Sequence, residues 1–273
     1  MGLIHHIDHP SVEGLRVGRR NFRGQWSISS TCIVYRIGNT VVDAGPSREW
    51  QLVKTFLQER KVNQALITHY HEDHSGNCGH INDAFNAKVM CHENSYRRLE
   101  HGFALQWIRK RTFGHSSRVK PDAFPDSVPS GNGSQLRPVH LPGHSDDMTC
   151  FHEPQRGWVF LGDLYVSSQI KFMMAEESVT EHINSLRAAI ALDFKELFCA
   201  HRGVIHDGPA ALQKKLDFII ALREEVDFLR GQGMSVRAIS RKLLGPEGLT
   251  ALISQFAMTK RNVVLSCLRS LDE

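Results

Sequence analysis

No stretch of this chain approaches the ~20 consecutive apolar residues of a membrane span, so no membrane-crossing helix is expected. Charge of one sign is lacking too. The 33 Lys and Arg face 29 Asp and Glu, and the net of +4 is too small to draw the chain to nucleic acid by itself. No two cysteines stand in C-x-x-C spacing. Cys32, Cys78, Cys91, Cys150, Cys199 and Cys267 mostly sit in apolar runs such as Thr31-Cys32-Ile33-Val34, and they read as reduced, buried thiols of a cytoplasmic protein. The opening Met1-Gly2-Leu3-Ile4-His5-His6 has no basic or apolar leader region and no Ser or Thr at position 6. Neither a signal peptide nor myristoylation is expected. Internal repeats and low-complexity tracts are absent. Trp and Tyr are scarce at four each, whereas histidine reaches 16 in 273 residues. Histidine is the commonest metal ligand and titrates near neutral pH, so its distribution is what matters.

The periodicities describe a mixed α and β body. Cys32–Ile37 and Thr40–Asp43 read as a hairpin turning at Gly38-Asn39. Pro46-Ser47 opens a helix to about Arg60, with Trp50, Val53, Phe56 and Leu57 at helical spacing. Ala65–Ile67 is a short buried strand, followed by a helix from about Asn77 to Phe85 and a strand over Lys88–Cys91. Strands are expected at Leu136–Leu141, Met148–His152, Trp158–Leu161 and Leu197–Ala200, with a helix over about 179–192. From Pro209 onward the pattern is helical, broken at Gly231-Gln232-Gly233, where Ser235 can cap the next helix, and at Gly245-Pro246. The chain thus divides into a body over 1–209 and a C-terminal helical extension over 210–273. An insertion at about 95–135 interrupts the body. Its first part carries Arg97, Arg98, Arg109, Lys110, Arg111, Arg118 and Lys120 against Glu100, and its second part is a Pro- and Gly-rich loop.

The histidines are organised at Thr68-His69-Tyr70-His71-Glu72-Asp73-His74-Ser75-Gly76. Three histidines and an aspartate within six residues follow a buried strand. If the strand end is extended, His69 and His71 point to one side, and the turn beyond brings Asp73 and His74 to an adjacent volume. Charged, these imidazoles would repel one another; buried and neutral, they would compete for partners. A metal resolves the conflict. Imidazole and carboxylate suit Zn²⁺ first, with iron or manganese as alternatives. Two pairs do not complete two sites. His144 after Leu141-Pro142-Gly143, Asp163 after Phe160-Leu161-Gly162 and His201 after Phe198-Cys199-Ala200 each follow an apolar run and are candidates for the remaining ligands.

This order of motifs resembles the metallo-β-lactamase superfamily: Asp43 in Val41-Val42-Asp43-Ala44-Gly45, then His-x-His-x-Asp-His, His144, Asp163 and His201. The resemblance covers roughly residues 25 to 210. It implies a four-layer αββα sandwich, here with a C-terminal α-helical extension, and two divalent metal ions at one edge. By position, His69, His71 and His144 would hold the first ion and Asp73, His74 and His201 the second. Asp163 would bridge, and Asp43 would fix the His-rich loop by hydrogen bonds. The chain is similar to the glyoxalase II-like branch, in particular to the quinolone-signal response thioesterase and the mitochondrial lactamase-like RNA-cleaving enzyme. It departs from the flavo-diiron branch at His71 and from the commonest β-lactamases at Asp163, where those carry cysteine. Cys199-Ala200-His201 replaces the usual Pro-Gly-His.

The function expected is a metal-dependent hydrolase in which a dinuclear site activates water, with Asp73 as ligand and proton acceptor. No Ser-His-Asp or Cys-His nucleophile pattern stands out. A small anionic ester or thioester is the favoured substrate, because Phe103, Leu105, Trp107, Ile108 and Phe113 interleave the insertion's charges as in a lid with an apolar inner face. Two alternatives stand. One is a nuclease cleaving RNA or DNA phosphodiesters, disfavoured by the weak basic excess. The other is a regulatory protein acting through its C-terminal helices, where Ser235–Leu244 faintly resembles a helix-turn-helix segment. A membrane partner is not expected; the C-terminal helices read either as packing on the sandwich and closing the cleft or as a homodimer interface. His115, Tyr165 and His206 lie near motifs and read as structural rather than substrate-orienting.

Overall fold

The computed structural model describes residues 5–7, 9–20 and 25–272. The leader reading at Met1–Ile4 lies outside them. The first sheet has strands in the order β1 (His5–Ile7), β2 (Glu13–Arg20), β3 (Trp26–Ile37), β4 (Thr40–Val42), β5 (Gln64–Leu66) and β6 (Lys88–Met90). The second uses β7 (Val128–Pro129), β8 (Gln135–His140), β9 (Thr149–Glu153), β10 (Trp158–Phe160), β11 (Glu196–Cys199) and β12 (Gly203–Ile205), in the order 12-11-10-9-8-7. Helices α1 (Trp50–Gln58), α2 (Glu72–Ser75) and α3 (Cys78–Phe85) belong with the first sheet. The insertion contributes α4 (Tyr96–His101) and α5 (Trp107–Phe113). Helix α6 (Val179–Ile190) and the C-terminal α7 (Gly208–Gly231), α8 (Val236–Leu244), α9 (Leu249–Ile253) and α10 (Lys260–Asp272) complete the chain.

Alternation along the strands builds the layers. Successive side chains point to opposite faces. Thus Ile33, Tyr35 and Val42 share a core with Phe151, Phe160 and Phe198 of the opposing sheet, while their neighbours Val34 and Val41 pack against Val53, Phe56, Leu57 and Ile81 of α1 and α3. In the second sheet Cys150, Val159, Leu197 and Cys199 face the other way, onto α6, α7 and α10. The result is helix, sheet, sheet, helix. Cross-sheet bonds pin the two sheets at one edge: Ile33 N–H to Ala200 O at 2.7 Å and Thr149 N–H to Thr68 O at 2.8 Å.

The hairpin, the helix after Pro46 and the capping of α8 by Ser235 Oγ agree with the sequence reading. Strands β1, β2, β7 and β12 do not appear in it. β7 lies inside the Pro- and Gly-rich stretch and is two residues long; β12 is a short edge strand. Such strands carry too few residues for an alternation to register. All six cysteines are free and buried. No helix among the described residues is long and apolar enough to cross a membrane.

Direction matters for the site. β4 and β5 are parallel, as are β10 and β11, and β8 runs with β10 because each is antiparallel to β9. The residues following these strands therefore leave along shared edges, and the cross-sheet bonds near Thr68 and Ala200 bring those edges together.

Candidate metal centre

Strand β5 ends at Leu66, and the chain passes through Ile67 and Thr68 into the His-rich segment. Its last part is one helical turn, α2, which carries Asp73 and His74. His144, Asp163 and His201 enter from the loops after β8, β10 and β11. Gly143 makes the first approach possible: its φ is +138°, and a Cβ there would stand 2.7 Å from the backbone nitrogen of His182.

The structure brings all seven candidates together. Donor atoms of His69, His71 and His144 lie within 4.8 Å of one another, as do those of Asp73, His74 and His201, and those of His69, His74 and Asp163. Nδ1 of His71 is 3.0 Å from Nε2 of both His69 and His144. Asp163 faces both sets. Its Oδ1 is 2.9 Å from His201 Nε2 and 3.4 Å from His74 Nε2, while Oδ2 is 3.6 Å from His144 Nε2.

The outer nitrogens fix which ring atom turns inward. His74 Nδ1 donates to Asp43 Oδ2 at 2.8 Å, and His201 Nδ1 donates to the carbonyl of Thr31. His69 Nδ1 donates to Thr68 Oγ1 at 3.0 Å, and that hydroxyl donates to Asp43. His144 Nδ1 donates to Glu177 Oε2 at 3.2 Å. An acceptor behind Nδ1 leaves Nε2 with its lone pair exposed to the centre. Asp43 thus supports two histidines while standing away from the centre, on a backbone of φ +60°. Cys32 joins Asp43 and His74 in a cluster behind the histidine, where burial pushes its thiol well above the usual range and keeps it protonated.

This donor set fits a divalent cation. Inward lone pairs on His69 and His144 meet His71 at 3.0 Å, and His71 can donate to only one of them. Buried His74 Nε2, which turns into the centre, has no hydrogen-bond partner. Buried polar atoms are costly when unpartnered, and metal-binding centres are a setting in which they persist. The electrostatics divide the site. Burial, with neighbouring imidazoles, holds His69 and His71 well below the ordinary histidine range. Burial also opposes charge on His201, but Asp163 and Asp73 outweigh it and raise that group. Within the first set His69 and His71 are therefore held neutral, while Glu177 and Asp163 outweigh burial at His144 and raise it, as the carboxylates of the second set raise His201.

Several pairings around the centre carried no sequence signal. Glu72, fully buried, is gripped by Arg109 of α5. The backbone N–H of Tyr70 donates to Asp147 Oδ2 at 2.7 Å, and Ser95 also donates to that oxygen. Arg98 lies 4.2 Å over the Tyr70 ring, and Phe103 packs edge-on against it. Burial would raise the Glu177 carboxyl, but His144 and His182 bring it down to about 2. Tyr70 and Glu72 lie inside the His-rich motif, but their partners do not; these contacts join segments far apart in sequence.

Other candidates fall away from the centre. Tyr165 is buried in the core beside α6 and α7, His206 pairs with Glu196, and His115 is exposed. His9 also bonds Glu196. Trp107, grouped above with the lid's apolar inner face, is 59% exposed, whereas Phe113 at the other end of the same short helix is buried.

Residues 23–201 match the family model described as the metallo-beta-lactamase superfamily. Among curated proteins, an atrochrysone carboxyl ACP thioesterase of Aspergillus fumigatus is 25% identical over 186 residues, covering 65% of this chain and 51% of the relative. A hydroxyacylglutathione hydrolase of Bdellovibrio bacteriovorus is 28% identical over 124 residues, covering 45% of this chain and 40% of the relative. The chain thus spans about half the length of these relatives, or less. Among solved structures, a metallo-beta-lactamase family protein of Thermus thermophilus superposes with a TM-score of 0.72 at 19% identity, over 97% of this chain and 95% of that one. A beta-lactamase domain protein of Burkholderia ambifaria gives 0.71 at 16% identity, over 100% and 90%. At such identities the likeness is one of fold.

Proposed function

This chain belongs to the metallo-beta-lactamase superfamily, and from that premise we propose that it is a metal-dependent hydrolase of a small anionic ester or thioester. The observation that carries the reading is the pairing of two donor sets around one carboxylate, Asp163. His69, His71 and His144 would hold one divalent cation, Asp73, His74 and His201 a second, and Asp163 would face both. The chemistry such ions supply when bound is Lewis acidity, toward a substrate oxygen and toward water. Zinc suits the set best, since five of the seven groups are imidazoles.

The chain's own residues do the rest. Asp73 Oδ2 lies 3.8 Å from His74 Nε2 and 3.9 Å from His201 Nε2, and its side chain keeps some exposure, so it is placed to take a proton from water at the open side. Asp43, Thr68, Thr31 and Glu177 hold His69, His74, His144 and His201 each in one tautomer, so none of these rings has to turn during reaction. Tyr70, Phe103 and Arg98 form a partly apolar wall beside the centre. Exposed Arg97, Lys110 and Arg111 on α4 and α5 would favour an anionic substrate. The two curated relatives, a carboxyl ACP thioesterase and a hydroxyacylglutathione hydrolase, support ester-type bonds over phosphodiesters.

The test is turnover of metal-loaded protein on acyl thioesters, lactones, phosphodiesters and RNA, with Asp73→Asn as control. Thioester or ester hydrolysis abolished in the variant is expected. Turnover confined to RNA or a phosphodiester would replace the reading with a nuclease, and absence of turnover on all four would end it.

A further inference from the structure

Helix α10 holds the segment that carries Glu177, a carboxylate bonded to His144. Glu177 precedes α6 and is nearly buried. Its Oε2 accepts from His144 Nδ1 at 3.2 Å and from His182 Nε2 at 3.3 Å, and its Oε1 accepts from the backbone N–H of Met174 at 2.7 Å. Both carboxylate oxygens are committed, so the group cannot rotate without losing bonds. His182 Nδ1 has no partner, and burial brings that ring down to about 4, so it meets Glu177 as a neutral donor.

The backbone carrying Glu177 is held from the far side by α10. Ser266 Oγ donates to the carbonyl of Glu177 at 3.0 Å and accepts the N–H of Val179 at 2.9 Å. Arg269 donates to the carbonyl of Ala175 at 3.2 Å. Met173 and Thr259 exchange two backbone bonds, and Asn262 donates to the Met173 carbonyl. The same segment touches the His144 loop directly, through Ser178 N–H to the carbonyl of Gly143.

We propose that Glu177 is a positioning residue for His144, and that α10, through Ser266, sets Glu177 and so forms part of the metal centre's support. The carboxylate receives Nδ1–H and presents Nε2 inward. A histidine without that acceptor can turn or change tautomer, and its affinity for a cation falls. The role rests on His144 binding metal, as read above.

The experiment measures zinc affinity of metal-stripped full-length protein by competition with a chromophoric chelator, together with the visible spectrum of the cobalt-loaded protein. Glu177→Ala is expected to weaken the tighter zinc about 10–100-fold and to alter the cobalt spectrum. Glu177→Gln keeps the volume and one acceptor but loses the charge, and should fall between. Ser266→Ala should weaken zinc in the same direction, by less. Wild-type affinity and spectrum in Glu177→Gln and in Glu177→Ala would overturn the inference. Should the Ala variant fail to fold, the Gln variant alone decides. His144→Ala separates the two levels. If it loses zinc while the Glu177 variants keep it, only the positioning role fails; if it binds zinc as wild type, the ligand reading fails with it.

Discussion

Arg109 closes on Glu72 with two parallel bonds, Nε to Oε1 at 2.6 Å and Nη2 to Oε2 at 2.8 Å, and so ties the basic insertion to the metal-side loop. Burial raises the Glu72 carboxyl despite this partner. Removing Arg109 would leave that carboxylate buried and unpaired. Arg109→Leu is expected to cost about 3–5 kcal/mol and to speed amide exchange over residues 96–113. Because a fork is replaced by a point charge, Arg109→Lys should restore only part of it. The double variant Glu72→Leu with Arg109→Leu should be more stable than Arg109→Leu alone, as denaturant unfolding would read. A double variant as unstable as the single one would remove the pair from the account.

Asp73 is the residue on which binding and proton transfer meet. Asp73→Asn keeps shape and loses the basic oxygen. It should lower turnover by at least about 100-fold and lower metal content, measured by elemental analysis on the same preparation. His71→Ala should empty the first set while leaving Asp73, His74 and His201 in place. Full metal and full turnover in either variant would contradict the assignment.

Gly143 is a third point of leverage. In Gly143→Ala, a left-handed backbone and a Cβ at 2.7 Å from His182 N act together. Strain alone costs about 1–3 kcal/mol, and relief would push His144 away from His71. Thermal unfolding and zinc affinity should both fall. A loss of stability with zinc affinity untouched would mean that the loop relaxes without moving His144.

Lys215 of α7 is buried, and its Nζ donates to the carbonyl of Leu164 at 2.6 Å. Burial lowers its pKa from 10.5 to about 8. Between those values the unfolded chain binds the proton that the folded chain has released, so this group makes stability rise with pH from about 8 to about 10.5. A tenfold difference in proton affinity between the two states is worth about 1.4 kcal/mol. Lys215→Met should flatten that rise, as urea unfolding at pH 7.5, 9 and 10.5 would show. Identical slopes in the two proteins would place the lysine in solvent.

The seven metal-side residues were legible in the sequence because they follow short apolar runs, four of them as one dense cluster, and fall in a motif of fixed order. Asp43 was legible for the same reason. Glu177 and Arg109 were not. Glu177 sits in a segment without periodicity, between Met174 and α6, and its importance comes from His144, 33 positions earlier, and Ser266, 89 positions later. Arg109 read as one charge in a basic run; only the fold reveals that its partner is buried. Strands β1 and β2 were missed for a different reason. β2 contains Arg16, Arg19 and Arg20, yet its Arg16 turns inward to the carbonyl of His201, which an alternation of apolar and polar residues does not disclose.

The seam between the two sheets has a consequence for folding. His69, His71, Asp73 and His74 come from one sheet and His144, Asp163 and His201 from the other, so neither half owns a complete coordination set. Sequence separations of this size carry a large loop-closure cost, which an unfolded chain cannot offset before its halves dock. A cation seated at the seam would act as a rivet between two separately woven panels, stabilising the docked state in proportion to its occupancy. Metal supply would then govern how firmly the halves stay joined, as well as whether the centre turns over.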